Sequence, residues 1–425
     1  MRMLYTALLA LLTPLIVLRL WAKGRTLPAY RQRIGERFGF VPTHPVAVWV
    51  HAVSVGESLA ALPLIEALIA QHGERQVWVT TTTPTGSERI VAALGTRIIH
   101  SYAPYDLPQV VARFLDRARP QQVVVMETEL WPNLFYALQA RSIPLTIANA
   151  RLSPRSFKGY SRVAGFTRSV LAKVTTVAAQ SALDGERFSA LGAPRVVVTG
   201  NLKFDLTLPS TPHPLTAHIG RLWHQPRATW VAISTHEGEE DVALDAHRQL
   251  LQHDAFALLI LVPRHPQRFE QVAQRIRAKG FAWVCRSELA EHPDLNGQRQ
   301  PTPVLLGDSM GEAMAYLAAA QVAFVGGSLV PVGGHNVLEP AALGLPVLFG
   351  PHMHNFLEAR DLLLKADAAR EVHDADSLCA ALLDWLPWQK AQTHLQAERA
   401  ARSQRAAAAV AANRGALQKL LALLA

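Results

Sequence analysis

Carboxylates, glycine pairs and arginines stand in this chain directly behind short apolar runs, and that placement sets the chemistry open to it. Val322 to Val325 reads as a buried strand, followed by the pairs Gly326-Gly327 and Gly333-Gly334 and then by His335-Asn336-Val337-Leu338-Glu339-Pro340. Glycine lets a backbone come close to a ligand. Asn336 as N-cap, with proline in the first turn, starts a helix. A strand, a glycine loop and a helix N-terminus in succession offer amide groups to an anionic ligand such as a nucleotide. Asn336-x-x-Glu339 is also the spacing of a capping box, in which the glutamate serves only the helix start. Asp308-Ser309-Met310-Gly311-Glu312 lies at another expected helix start, where the amides of Met310 and Gly311 can hold a phosphate or carboxylate.

The N-terminal half carries the carboxylates. Ser54-Val55-Gly56-Glu57 follows a strand and has capping-box spacing, so Glu57 can serve the helix start, the chemistry, or both. Glu127 and Glu129 follow the strand Gln122 to Met126, at the edge where open sheets bind ligands, or they merely open the next helix. Asn149 and Arg151 follow the next strand, and the arginine's planar fork suits a carboxylate or phosphate. In the second half, Ser234-Thr235-His236-Glu237-Gly238-Glu239 and Pro263-Arg264-His265-Pro266 open turns after strands. With 17 histidines in the chain, a histidine near a cleft is weak information by itself. Asp241 and Asp245 lack Asp-x-Asp spacing, so no metal site is expected, and nothing calls for a cofactor.

These residues need two sheets to position them. At 425 residues the chain has room for two domains. Half of it is hydrophobic and 18% charged, a core-forming composition. Strands are expected at Val46 to Val50, Val77 to Thr81, Gln122 to Met126, Leu145 to Ala148, Thr176 to Ala179 and Val196 to Thr199. A second set follows at Trp230 to Ser234, Leu258 to Val262, Phe281 to Val284, Val304 to Leu306, Val322 to Val325 and Leu345 to Phe349. Helical patterns lie between, which argues for parallel sheets covered on both faces. The proline-rich stretch 206–226 reads as a linker between two Rossmann-like halves, the GT-B arrangement.

Leu4 to Leu18 is an apolar run of fifteen residues, short of the roughly 20 that span a bilayer. Trp21, Lys23 and Arg25 behind it resemble the flank of a cytoplasmic interface, and no good cleavage site follows, so an uncleaved anchor is expected. The net charge of +9 is concentrated behind this run and again between Arg151 and Lys173. That favours anionic lipid over nucleic acid as partner. Cys285 and Cys379 form no disulfide framework.

The motifs SVGES (54–58), ETELWPN (127–133), NARLS (149–153), GNLKFD (200–205), DSMGE (308–312) and GGHNVLEP (333–340) together resemble the transferases of 3-deoxy-D-manno-octulosonic acid (Kdo). The resemblance runs from the N-terminus to about Phe356. It implies a GT-B α/β fold with an interdomain cleft, and inverting transfer of Kdo from CMP-Kdo to a lipid A precursor at the cytoplasmic face of the inner membrane, without metal. By the same resemblance Glu57 is the general base, and Glu129 positions the acceptor or the base. Ser54, Gly56, Glu127, Asn149 and Arg151 would meet the acceptor. Ser234, His236, Arg264, His265, Ser309, Met310, Gly311, Glu312, Gly327, Ser328, His335, Asn336 and Glu339 would meet the donor, with Glu339 on the ribose. The implied domains are an anchor at 1–22, an acceptor domain at 23–205, the linker, a donor domain at 227–385 and helices at 386–425 that cross back. A nucleotide-sugar 2-epimerase of the same fold and a non-catalytic lipid-binding protein are the rival readings.

Overall fold

The computed structural model of the chain describes residues 1–206, 208, 211, 213–221, 227–290, 302–386 and 393–425. They divide into two compact units, Met1–Asp205 with Asn413–Ala425, and Leu206–Ala412.

The first unit is built on seven parallel strands: β1 (Val48–His51), β2 (Val77–Thr81), β3 (Ile99–Tyr102), β4 (Gln122–Met126), β5 (Leu145–Ala150), β6 (Thr176–Ala179) and β7 (Val196–Val198). Their order is β3-β2-β1-β4-β5-β6-β7. The central strands are continuous apolar runs because helices bury both of their faces. Trp49, Trp78 and Phe114 fill one face of the sheet. Leu64 and Leu68 of the helix Val55–His72 fill the other, together with Leu420 and Leu424 of the helix Ala416–Leu424.

The second unit repeats the plan with β8 (Thr229–Thr235), β9 (Leu258–Pro263), β10 (Trp283–Cys285), β11 (Val304–Leu306), β12 (Val322–Val325), β13 (Val347–Phe349) and β14 (Ala369–Glu371). They run parallel in the order β10-β11-β9-β8-β12-β13-β14. Both sheets therefore reverse direction beside their first strand, between β1 and β4 and between β8 and β12. Ligands of open α/β sheets bind at the carboxyl ends of strands at such a switch point.

Several expectations shift. β3 and β14 were not foreseen: IHSY and ARE are short and polar, and each is an edge strand. The described part of 206–226 contains a helix, Pro214–Arg221, whose Thr216 Oγ1 donates to Ala315 O at 3.1 Å, so it packs as part of the second unit; residues 207, 209–210, 212 and 222–226 lie outside the described residues. In the expected tail, 387–392 lie outside them too. The helix Thr393–Ala412 belongs to the second unit and Ala416–Leu424 to the first, where Asp205 accepts from the amides of Gly415 and Leu417 at 2.6 Å each.

The N-terminal helix is Arg2–Lys23, 22 residues, longer than the apolar run inside it. At about 1.5 Å per residue it measures roughly 33 Å, and it is long and apolar enough to cross a membrane. Its less exposed residues, Arg2, Tyr5, Thr6, Leu9, Thr13, Ile16, Val17 and Leu20, nevertheless fall on one face. On that side Arg2 and Thr6 donate to Asn133 Oδ1 at 2.9 and 3.1 Å, and Tyr5 donates to Asp106 at 3.0 Å. The opposite face bares Leu4, Leu8, Leu11, Leu15 and Leu18.

Candidate functional site

At the switch point of the first sheet, β1 ends at His51 and the helix Val55–His72 begins after the connection Ala52-Val53-Ser54, with Ser54 as N-cap. The capping box is real. Glu57 N donates to Ser54 Oγ at 3.2 Å, and Ser54 N donates to Glu57 Oε1 at 3.2 Å. Val53 N adds a third bond, to Glu57 Oε2 at 2.8 Å. Glu57 is only 7% exposed. Burial pushes its carboxyl up to about 7, the bonds from Val53 and Ser54 pull the other way, and the charges of Glu127 and Glu129 add to the rise. A carboxylate so placed takes up and releases a proton near neutrality, as a general base must.

The two other carboxylates come from the end of β4. Glu127 has φ 56°, a left-handed conformation that turns the chain out of the strand. Glu129 accepts from Trp131 Nε1 at 2.9 Å. The Trp131 ring stands edge-on to His51, with centroids 4.7 Å apart. His51 is fully buried, its Nδ1 lies 2.9 Å from Thr80 Oγ1, and burial lowers it to about 4. Sequence reading passed over His51, which looks like any strand-end residue; its signal is a polar side chain closing an otherwise apolar strand. A Cβ on Gly56 would meet nothing nearer than Ser54 Oγ at 3.8 Å, so Gly56 leaves the helix start uncovered. Arg151 is exposed.

Asn149, at the carboxyl end of β5, serves the fold. It is 1% exposed, adopts φ 53°, and its Oδ1 accepts from Leu202 N at 3.0 Å, holding the Gly200–Asp205 segment against the sheet. Near Glu129, whose charge is felt at Tyr160, lies the helix Pro154–Ser161. A cavity of about 580 Å³ there is lined by Pro154, Arg155, Lys158, Gly159 and Arg162.

In the second sheet, β8 leads through Ser234 (φ 58°) into the helix Glu239–Leu251. Glu239 is wholly buried and gathers four amides: His236 N at 2.8 Å, Gly327 N at 2.7 Å, and Ser328 N and Leu329 N at 2.9 Å each. The amides of Gly327 and Ser328 point at Glu239, so a donor contact at either residue would not come from its amide. The Ser328 hydroxyl is buried as well, donating to Val325 O at 2.6 Å and accepting from Gly350 N at 2.8 Å. Gly326 has no room for a side chain, because a Cβ would lie 2.5 Å from Ser234 O and 2.9 Å from Glu239 Oε2.

What the glycine loop presents instead is His335. Its Nε2 lies 2.8 Å from His236 Nε2, with the two rings nearly parallel, and the ring of His265 stands edge-on to His236 at 5.4 Å. Burial, then Arg264, His236 and His265, lower His335 to about 4. Glu339 completes the group: burial raises its carboxyl, while Asn336 and Arg264 oppose the rise. Asn336, expected as the N-cap, sits one residue before the observed one, since the helix is Leu338–Ala342 with Val337 as N-cap. Asn336 Oδ1 accepts from Leu338 N and its Nδ2 donates to Glu339, both at 3.0 Å, so side chain meets side chain and the capping box is not formed.

The DSMGE segment also differs. Its helix starts only at Ala313, after Gly311 (φ 84°), so Met310 and Gly311 are not first-turn amides. Ser309 donates to Glu312 at 2.5 Å and Glu312 pairs with Arg286 at 2.8 Å, an internal network that occupies both residues.

The family model "3-Deoxy-D-manno-octulosonic-acid transferase (kdotransferase)" matches residues 32–206. Among curated proteins the chain is 40% identical to the 3-deoxy-D-manno-octulosonic acid transferase of Haemophilus influenzae, covering 100% of this chain and 98% of that protein. It is 38% identical to the enzyme of the same name from Bordetella pertussis, covering 98% and 97%. Among solved structures it resembles UDP-GlcNAc 2-epimerase from Neisseria meningitidis, with TM-score 0.53, 13% identity, and coverage of 89% of this chain and 99% of that one. MurG from Acinetobacter baumannii gives TM-score 0.51, 15% identity, and coverage of 90% and 99%. At those identities the two structures speak for the GT-B fold alone.

Proposed function

The chain belongs to the Kdo transferase family, and from that premise we propose that it moves Kdo from CMP-Kdo to a lipid A precursor with Glu57 as general base. Kdo transfer in lipid A and lipopolysaccharide core biosynthesis is the family's reaction. The observation that carries the assignment of the base is Glu57 itself: buried, raised to about 7, and set at the switch point beside Glu127 and Glu129.

In the reaction an acceptor hydroxyl oxygen bonds to the anomeric carbon of Kdo as the bond from that carbon to the CMP phosphate oxygen breaks. The hydroxyl proton passes to Glu57, CMP departs with the bonding electron pair, and the anomeric centre inverts. Glu129, fixed by Trp131, positions the acceptor. Arg264 receives the negative charge of the donor's phosphate, and Glu339 accepts from the ribose hydroxyls. Arg155, Lys158 and Arg162 suit the acceptor's phosphates.

The N-terminal helix supports a membrane location. Its polar side chains bond to the first unit, and its leucines point the other way. We read it as lying in the plane of the cytoplasmic leaflet of the inner membrane, with Arg19, Lys23 and Arg25 at the headgroups. The test of the whole reading is transfer from CMP-Kdo to tetraacylated precursor, resolved by mass. Absence of product from the wild type would sink it, and the product mass counts the sugars added.

A further inference from the structure

The histidine pair in the second unit has a chemistry that the nucleotide does not require. His236 and His335 meet through their Nε2 atoms at 2.8 Å, a distance at which one nitrogen donates a proton and the other accepts. Their backbones are pinned: Glu239 holds the amide of His236 together with those of Gly327 to Leu329, and His335 N donates to Gly326 O. That lattice of bonds fixes the backbone from which the two imidazoles reach each other. The groups around it are strongly biased towards positive charge. Arg264, His265 and Arg268 face it from the end of β9, and Glu239 and Glu339 are the acidic groups nearby. Glu239 is already filled with amides, Arg268 is paired with Glu240 at 2.6 Å, and His352 and His354 lie on the segment that covers Gly333 and Gly334.

Such a pair is poised for an acidic ligand. An anion arriving between the imidazoles and Arg264 stabilises a proton shared by the two Nε2 atoms, and the bridge then carries a full positive charge. A CMP-activated sugar acid differs from nucleotides of neutral sugars by its carboxylate, and from CMP by the sugar with its carboxylate and by a phosphate diester that carries one charge where the monoester carries nearly two. We propose that His236 and His335 are the specificity-determining pair for that carboxylate, and that they take up a proton when an acidic-sugar donor binds.

This rests on the assignment of CMP-Kdo binding to the second unit, deepening it to a named contact. Empty, the pair is held neutral at physiological pH by burial and the nearby arginines; His335 lies at about 4. An anion raises that value in the complex, so donor affinity grows as pH falls through the raised value and levels off towards 4.

The experiment compares KM for CMP-Kdo with the competitive inhibition constant of CMP, in the full-length protein and in His335→Gln and His236→Gln. We expect KM to rise by roughly 10- to 100-fold, the worth of one charged hydrogen bond, with the CMP constant within about twofold of wild type. KM for CMP-Kdo in the wild type should fall between pH 8 and pH 6 more steeply than the CMP constant does, and this excess should vanish in either variant. If the variants lose CMP and CMP-Kdo equally, or if the two pH profiles coincide in the wild type, the pair does not read the carboxylate. Should neither variant fold, the wild-type profiles decide alone. If CMP fails to compete with CMP-Kdo at all, it is the placement of the donor site that falls.

Discussion

Each unit buries a glutamate at the start of the helix that follows its first strand, Glu57 after β1 and Glu239 after β8, the latter next to Glu240, which is buried against Arg268. Glu57 takes part in three amide bonds, from Val53 N, from Ser54 N and from its own amide to Ser54 Oγ, the last two forming its capping box. Only two of those reach its carboxylate. Glu239 receives four, three of them from a loop about ninety residues away. The same local motif has thus been turned to opposite ends. Four donors make a carboxylate a structural knot with nothing left to offer a ligand. Two donors and two acidic neighbours leave a carboxylate that exchanges its proton. Counting amides separates the two roles where sequence spacing cannot.

The comparison breaks first at Glu57. Glu57→Gln should lower the transfer rate by roughly 10²- to 10⁴-fold, with little change in KM for the donor. A mutant within tenfold of wild type would reduce Glu57 to a cap. Glu239→Ala should act in the other currency, leaving buried amides without acceptors and costing about 3 kcal/mol or more of stability in urea or thermal unfolding. If it unfolds like the wild type while losing only turnover, the two glutamates are more alike than their bonds indicate.

A third test uses pH. The carboxyl of Glu57 rises on folding from 4.5 to about 7, so its favourable contribution to stability is complete below 4.5 and is lost as pH rises through about 7. The difference is about 3 kcal/mol between acid and pH 8. Glu57→Gln should remove it and be at least as stable as the wild type at pH 8, while the wild-type rate should fall as pH drops below about 7. A smaller effect is expected for Asp205→Ala, which frees the amides of Gly415 and Leu417 and should cost the first unit about 1–2 kcal/mol. Smallest of all, a chelator should leave the rate unchanged within error, and a rate restored only by added divalent cation would reassign the leaving-group chemistry.

Much of this was legible in the sequence. Unbroken apolar runs such as VVVM and LLILV can only be strands buried on both faces, so the central strands are placed to within a residue or two. IHSY and ARE escaped because an edge strand has one neighbour and tolerates polar residues. At the sites, the Ser54–Glu57 box could be read from spacing because its partners are local. The role of Glu239 could not, since its partners at Gly327 to Leu329 lie across a crossover. The helix start expected within Asp308 to Glu312 falls further on for a related reason: spacing does not show that Arg286 would engage Glu312 and that the helix would begin beyond it.

The helix Ala416–Leu424 buries Leu420 and Leu424 in the first unit's core, against residues made several hundred positions earlier. During synthesis that core therefore cannot close when its own sheet has left the ribosome. It waits until the second unit has been made as well. The second unit can finish first, the reverse of the usual vectorial order. A nascent chain stalled near 410 would hold the apolar N-terminal helix and an unsealed first unit, so that the unit that carries Glu57 is the last to become complete.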